Sequence, residues 1–202
     1  MWLVRNTQKI LEWSNAARDG QNTPDLLHRQ VVRILDYLDG ATFVRKDAPA
    51  VGSDLLVDPT AAQVPLLGPA PDGQDPPGYV YDNEIPPGYV YLVSSHLAGT
   101  VLSPDATQDQ RTLAARIHLA LDEDRGWLEN VHQDAKQLVT MSYDQLAQPA
   151  ALPLLNDMVT QSQQAYDGQI DPLTGQLQGG AVWISSNIQR MANFEIKAYS
   201  GT

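Results

Sequence analysis

Two pairs of residues have the spacing of metal ligands on a helix. Glu129 and His132 form a Glu-x-x-His pattern, and Asp25 and His28 form an Asp-x-x-His pattern. Side chains three residues apart share one helix face, as in carboxylate-bridged di-iron bundles. Those bundles also need a glutamate from two further helices, and only Glu12 is a clear candidate. The sequence therefore favours solvated helix faces over a metal site, with His28 and His132 too far apart to share an ion.

The other histidines and one acidic run have simpler interpretations. His118 and Asp122 have the spacing of an ordinary polar pair on a surface helix, and His96 is expected to be partly buried and hydrogen-bonded. Residues 167–171 resemble the start of a calcium loop. A proline stands where an EF-hand needs glycine, however, and a glutamine stands where it needs glutamate. A helix end followed by an Asx–Pro turn explains this stretch.

Common catalytic signatures are absent from the sequence. It has no nucleophile elbow, phosphate-binding loop, dinucleotide-binding glycine motif or His-Glu-x-x-His zinc motif. The lack of cysteine rules out disulfides, zinc–thiolate sites, iron–sulfur clusters and thiol nucleophiles. The sequence therefore predicts no cofactor and favours a protein that is not an enzyme.

Charge is distributed unevenly along the 202 residues, whose formal net charge is −11. Residues 1–46 contain seven bases and five acids, residues 47–110 contain nine acids and no Lys or Arg, and residues 111–202 contain six bases and ten acids. Nucleic-acid binding depends on Lys and Arg that neutralise phosphates. The balance therefore argues against a nucleic-acid partner and makes the middle third the unusual part of the chain.

Residues 58–87 are predicted to form a long acidic loop. Eight prolines between positions 59 and 87 exclude a regular helix. The segment Pro76–Tyr81 has the same sequence as Pro86–Tyr91, ten residues later. This is either a local duplication whose second copy leads into the next element, or a stiff tyrosine-bearing segment that docks on a partner. The candidate binding residues are Tyr79, Val80, Tyr81, Asp82, Tyr89 and Tyr91.

Helix signals are strong at the N-terminus. Asn6 or Thr7 is expected to cap a helix over 7–19 that ends at Gly20. Thr23 and Pro24 are typical of a cap and a first helical residue. A helix over 24–39 follows, because its apolar residues repeat every three or four positions.

The central and C-terminal thirds predict further helices. Residues 89–102 fit a helix or a buried strand, and the helix is favoured. A helix over 105–140 is expected to begin at a Thr107 capping box. Asp124 falls in its apolar seam, and the polar run 122–126 indicates a kink or break, with a helical hairpin as the alternative. Helices over 153–166, ending at Gly168, and 181–193 complete the set.

Minor β structure and a shared core are also predicted. Residues 42–46 and 55–57 could form a hairpin, and 194–199 could pair with the first of these strands. The predicted core residues are Leu27, Ile34, Leu35, Leu38, Ile117, Leu128, Val131, Leu155, Ile188 and Met191.

The expected fold is mainly α, over residues 1–202 as a single helical domain. It comprises a five- or six-helix bundle, a minor two- or three-stranded β element and the long Pro/Gly-rich acidic loop 58–87. The favoured function is a non-enzymatic protein-interaction or assembly module, with a protein partner or self-assembly and no membrane span. The alternative is a metal-binding or small-ligand-binding helical bundle, including an enzyme. A cytoplasmic location follows if Met1 is the native start.

Overall fold

The computed structural model describes residues 2–40, 65–67 and 88–191. Within these residues the mainly α fold is confirmed, with seven α-helices. In chain order they are α1 (Trp2–Asp19), α2 (Pro24–Asp39), α3 (Tyr89–Leu102), α4 (Gln108–Thr140), α5 (Tyr143–Leu146), α6 (Leu152–Asp167) and α7 (Ala181–Met191). A 3₁₀ turn, Pro149–Ala151, precedes α6, and an antiparallel ladder of β1 (Gln169–Ile170) and β2 (Leu177–Gln178) connects α6 to α7.

The long helix α4 organises the packing. It contacts α2, α3, α6 and α7, while α1 packs against α2 and α6. The predicted core residues are buried between these helices, except that Ile188 is only partly buried. Burial of this apolar surface is the main stabilising contribution, at roughly 25 cal/mol per Å².

Helix α1 begins earlier than predicted. Asn6 and Thr7 do not cap it but lie inside it, and both are fully buried. Leu3 and Ile10 lie on the same buried face, because spacings of three, four and seven residues bring side chains together on a helix. The cap prediction was wrong because residue types that favour caps also occur on a buried face when neighbouring positions continue the helical pattern.

Helix α2 has the predicted bounds. Pro24 is its first residue, and it ends at Gly40, whose φ of 87° suits glycine. The Thr23 side chain makes no capping hydrogen bond, and only its carbonyl accepts the N–H groups of Leu26 and Leu27. Leu35 lies on the fully buried side of this helix.

Helix α4 is one continuous helix of 33 residues, which confirms the single helix predicted over 105–140 and excludes the alternative of a break or helical hairpin at residues 122–126. It is about 50 Å long at 1.5 Å per residue. The predicted capping box is present, because the Thr107 hydroxyl accepts the Gln110 N–H at 3.2 Å and the Gln110 side chain accepts the Thr107 N–H at 2.8 Å. The α3–α4 turn is further held by Arg111, which donates to the carbonyls of Val101, Ser103 and Ala106.

The short elements follow local capping chemistry. Ser142 and Gln145 form a second capping box, and Gly168 ends α6 with a φ of 86°. The ladder of β1 and β2 flanks the turn expected at residues 171–175. The strands predicted at 42–46, 55–57 and 194–199 lie outside the described residues. No helix within the described ranges is both long and apolar enough to cross a membrane.

Candidate functional site

Residues 65–67 of the acidic segment contact the C-terminal end of α2. Leu66 is fully buried, and its backbone N–H donates to the Tyr37 carbonyl at 3.0 Å. The N–H of Leu67 donates to the Leu38 carbonyl, also at 3.0 Å. These carbonyls belong to the last turn of α2, where helical partners are lacking. Residues 65–67, called the anchor below, therefore complete the hydrogen bonding of the helix end.

The chain returns to the anchor at the start of α3. The N–H of Tyr89 donates to the Pro65 carbonyl at 2.7 Å, and that of Val90 donates to the Leu66 carbonyl at 3.2 Å. Gly88 lies so close that a Cβ atom there would overlap the Leu67 carbonyl. Residues 67 and 88, which are separated by twenty residues in the sequence, thus lie next to each other.

The six candidate binding residues fall into two groups, four outside the described residues and two in α3. Tyr79, Val80, Tyr81 and Asp82 lie outside the described residues. Tyr89 is the first residue of α3 and packs against the core. Burial raises the pKa of its phenol, although a hydrogen bond with the Trp2 backbone lowers it in part. Tyr91, the third residue of the helix, is partly buried.

The Asp25/His28 pair joins α2 to the far end of α4. His28 donates a hydrogen bond to the Val139 carbonyl, and its ring meets the Tyr143 ring edge-on at a centroid distance of 5.9 Å. Asp25 accepts the Tyr143 hydroxyl, which raises the pKa of that tyrosine. Burial lowers the pKa of His28, more than Asp25 and the carbonyl raise it. The imidazole of His28 thus links α2 to the C-terminal end of α4 and to α5.

Glu129 and His132 each contact a different partner. Glu129 is exposed and faces Arg125 at 3.7 Å, whereas His132 Nε2 lies 2.9 Å from the Asp39 carboxylate. Asp39 is eleven residues beyond His28 on α2, which corresponds to about 16 Å along the helix. The two candidate pairs are therefore held at opposite ends of α2. Among the described residues no group of three or more His, Asp or Glu could hold a metal ion.

Two carboxyl groups are buried in the helix interfaces. Asp124 of α4 is fully buried, and burial raises its pKa well above the ordinary value. Asp134 of α4 is only 7% exposed and faces Asp157 of α6. Burial raises the pKa of Asp134 to about 6, with further contributions from the Asp157 charge and a hydrogen bond to it. Asp134 and Asp157 thus form a hydrogen-bonded contact between two carboxyl groups, one on α4 and one on α6.

Comparison with protein families, curated proteins and solved structures gives no match.

The remaining candidates occupy ordinary structural positions. His118 Nδ1 lies 3.0 Å from the Ser94 hydroxyl and so links α4 to α3. His96 is exposed, which corrects the expected partial burial, because it lies on the outer face of α3. Asp171 accepts the N–H of Leu173 at 2.7 Å and that of Thr174 at 3.2 Å, which confirms the predicted Asx turn.

Sequence reasoning missed the anchor and the Asp134–Asp157 contact. Residues 65–67 lie within a proline-rich stretch that carries no periodic signal, and their role depends on the end of α2. Asp134 and Asp157 lie on different helices. In the sequence pattern of its own helix, each occupies a position outside the apolar stripe or at its margin, which is typical of an exposed residue. Only the location of Asp124 in the apolar seam was readable in advance.

Proposed function

We propose that this chain is a non-enzymatic protein-interaction or assembly module that presents the acidic Pro/Tyr-rich segment to a partner. The observation that carries the proposal is the anchor, where residues 65–67 bind both the end of α2 and the start of α3. Fixing both ends of a segment at one place reduces the entropy lost when the segment binds. Prolines restrict the same stretch further.

The two copies of the repeat then have different roles in this proposal. The second copy, Pro86–Tyr91, supplies Gly88 and Tyr89 to the anchor and to the core. The first copy, Pro76–Tyr81, supplies two tyrosines and a valine, which offer large contact area with few rotatable bonds. Tyr79, Val80, Tyr81 and Asp82 are therefore the proposed contact residues.

The charge of the segment favours a basic partner surface. Between positions 47 and 110 there are nine acids and no Lys or Arg. Such a segment repels acidic surfaces and accelerates encounters with basic ones, in a manner that weakens with salt. A second copy of this chain or a different basic protein is compatible with this chemistry.

Deletion of Asp72–Tyr81 tests the proposal. It removes one repeat copy and leaves the anchor and α3 with the other, so the melting temperature is expected to stay nearly unchanged. Capture of partner proteins, or self-assembly measured by sedimentation, is expected to be lost. A double variant, Tyr79→Ser with Tyr81→Ser, keeps length and charge, and it should also fail to bind if the tyrosines make the contact. A deletion variant that unfolds would instead assign the segment to structural packing.

A further inference from the structure

The connection between α6 and α7 exposes three large apolar side chains. In this hairpin, residues 168–180, Ile170 is 65% exposed, Leu177 is 43% exposed and Leu173 is 95% exposed. Ile170 and Leu177 are direct partners in the β1–β2 ladder and so share one face. Single exposed leucines are common on protein surfaces, whereas three large apolar side chains exposed within one short hairpin form a candidate contact surface.

Hydrogen bonds to Asp171 hold the hairpin turn in one conformation. Its carboxylate accepts the N–H groups of Leu173 and Thr174 and, at 2.8 Å, the Gln178 side chain. Its carbonyl accepts the Gly175 N–H, also at 2.8 Å. The hydrogen bond from the Leu173 N–H is the main reason that the pKa of Asp171 is lowered. The turn is thus held by several hydrogen bonds, and the lowered pKa keeps Asp171 negatively charged at neutral pH.

The base of the hairpin is packed against α4. Gly168, Gly179 and Gly180 all have positive φ, between 64° and 86°. A Cβ atom on Gly179 would lie 2.7 Å from the Trp127 ring, so the backbone itself rests on that side chain. This close seating fixes the direction in which the hairpin projects. Leu173 remains in solvent and contributes almost no buried surface to folding.

The surroundings of the hairpin are acidic. No Lys or Arg occurs between positions 137 and 189. Glu123 of α4 lies near Asp171, whose charge contributes, after burial, to raising the Glu123 pKa. On the adjoining part of α4, Arg116 stacks over a tryptophan of α7 and Arg125 faces two carboxylates. The apolar cluster is therefore bordered by negative charge.

We infer that the hairpin is a docking element for a basic peptide segment of a partner protein, one that combines an aromatic or aliphatic side chain with Lys or Arg. The apolar side chain of the segment packs against Leu173, Ile170 and Leu177, and its Lys or Arg faces the carboxylate of Asp171. Burial of the apolar side chains stabilises the contact, while the complementary charges favour a basic partner over an acidic one. This inference involves described residues only and does not depend on the acidic segment.

A peptide selection tests the inference. The full chain is used to select from a random-peptide phage library, with no prior depletion of the library on any variant. We expect enriched peptides that combine an aromatic or aliphatic residue with Lys or Arg. A synthetic copy of such a peptide should bind the Leu173→Asp variant about tenfold or more weakly than the wild-type chain. Asp171→Asn keeps the turn acceptor but removes the charge, and it should weaken binding several-fold and reduce its salt dependence.

Matched controls separate binding from folding. Leu102→Asp alters another leucine that is 81% exposed, and it should leave peptide binding unchanged. Both leucine variants should melt like the wild-type chain, and the Asp72–Tyr81 deletion variant should bind the selected peptides normally. Failure to enrich peptides, enrichment of base-free peptides or binding insensitive to Leu173→Asp would overturn the inference. Self-association that depends on Leu173 would overturn it as well, because a second copy would then be the occupant.

Discussion

At the scale of single residues, Asp124 is the position where burial and chemistry conflict most strongly. Its carboxyl group lies in the packed face of α4, and neither oxygen has a hydrogen-bond partner among the described residues. An ionised carboxylate without partners is strongly disfavoured in such an environment. The group therefore remains protonated in the folded state over a wider pH range than in the unfolded chain, which makes the stability of the fold depend on pH.

Asp124→Asn is expected to stabilise the protein near neutral pH. Above the pKa of the unfolded carboxyl, near ~4, the unfolded chain releases the proton while the folded protein retains it. The free energy of unfolding of the wild-type chain therefore falls as pH rises toward the raised folded-state pKa, and the variant lacks this loss. We expect a gain of at least about 1 kcal/mol, or roughly 2–4 °C in Tm, that shrinks toward pH ~4.

Thermal denaturation at several pH values measures this effect. Asp122→Asn is the matched control, because that carboxylate is on the same helix and its side chain is 68% exposed. It should change the melting temperature little at any pH. An Asp124→Asn variant that is less stable than the wild-type chain at neutral pH would mean that the carboxylate is paired and ionised in solution.

The sequence placed Asp124 in the apolar seam of the helix but did not show whether the helix would continue through it. A polar residue at a core-facing position either interrupts the helix or is buried as a neutral group. The spacing of the apolar residues around it is the same in both cases, so the sequence pattern does not distinguish them. Asn6 and Thr7 pose the same problem, since their side chains suit both a helix cap and a small buried site. In each case the outcome depends on the helix that packs opposite, which the local sequence does not describe.

At the scale of elements, the repeat shows how the following residues determine a structure. Both copies read Pro-Pro-Gly-Tyr-Val-Tyr. The second copy continues into Leu92 and Val93, which extend α3, and its free N–H groups bind the anchor carbonyls. The first copy continues into Asp82 and Asn83 and soon meets Pro86, which a helix cannot pass without losing a hydrogen bond. The residues that follow each copy thus favour a helix after the second hexapeptide and disfavour one after the first.

Gly88→Ala is expected to destabilise the protein by roughly 1–3 kcal/mol, because the added methyl overlaps the backbone of Leu67 and must separate α3 from the anchor. Gly99→Ala provides the opposite outcome on the same helix. Its Cβ position has no atom within 4 Å, so alanine should stabilise the helix by about 0.5–1 kcal/mol. Chemical denaturation measures both variants. Equal effects of the two substitutions would contradict the close contact at Gly88.

Elements with a long apolar period were predictable, and elements built from a few contacts were not. Helices α2, α4 and α6 were placed to within a few residues, because capping residues and apolar spacing agree there. The β1–β2 ladder was missed because strands of two residues carry no alternation, although the Asx turn between them was recognised from Asp171 and Pro172. The anchor was missed because its hydrogen bonds join backbone groups, and these carry no side-chain signal.

At the scale of the whole molecule, both proposed contact surfaces lie in stretches of sequence that lack Lys and Arg. Two long stretches, 47–110 and 137–189, contain no Lys or Arg. The first includes the acidic segment and the second includes the hairpin. Bases are more frequent in α1 and α2, where Arg33 stacks over Trp13 and Lys9 pairs with Glu12. This segregation concerns association and solubility, whereas the fold itself depends on the apolar faces of the helices.

Leu35→Asp tests that dependence. Leu35 is fully buried on α2, which packs against both α1 and α4. An aspartate there would place an unpaired charge among apolar side chains and remove a core leucine at the same time, each at a cost of several kcal/mol. Because domains are stable by only about 5–15 kcal/mol, the variant is expected to lose cooperative thermal unfolding, as followed by circular dichroism. Leu102→Asp makes the same chemical change at an exposed leucine and should stay within about 1 kcal/mol of the wild-type stability. A Leu35→Asp chain that still melts cooperatively near the wild-type temperature would show that α2 does not belong to the shared core, and the anchor, which is built on the end of α2, would then have no fixed support.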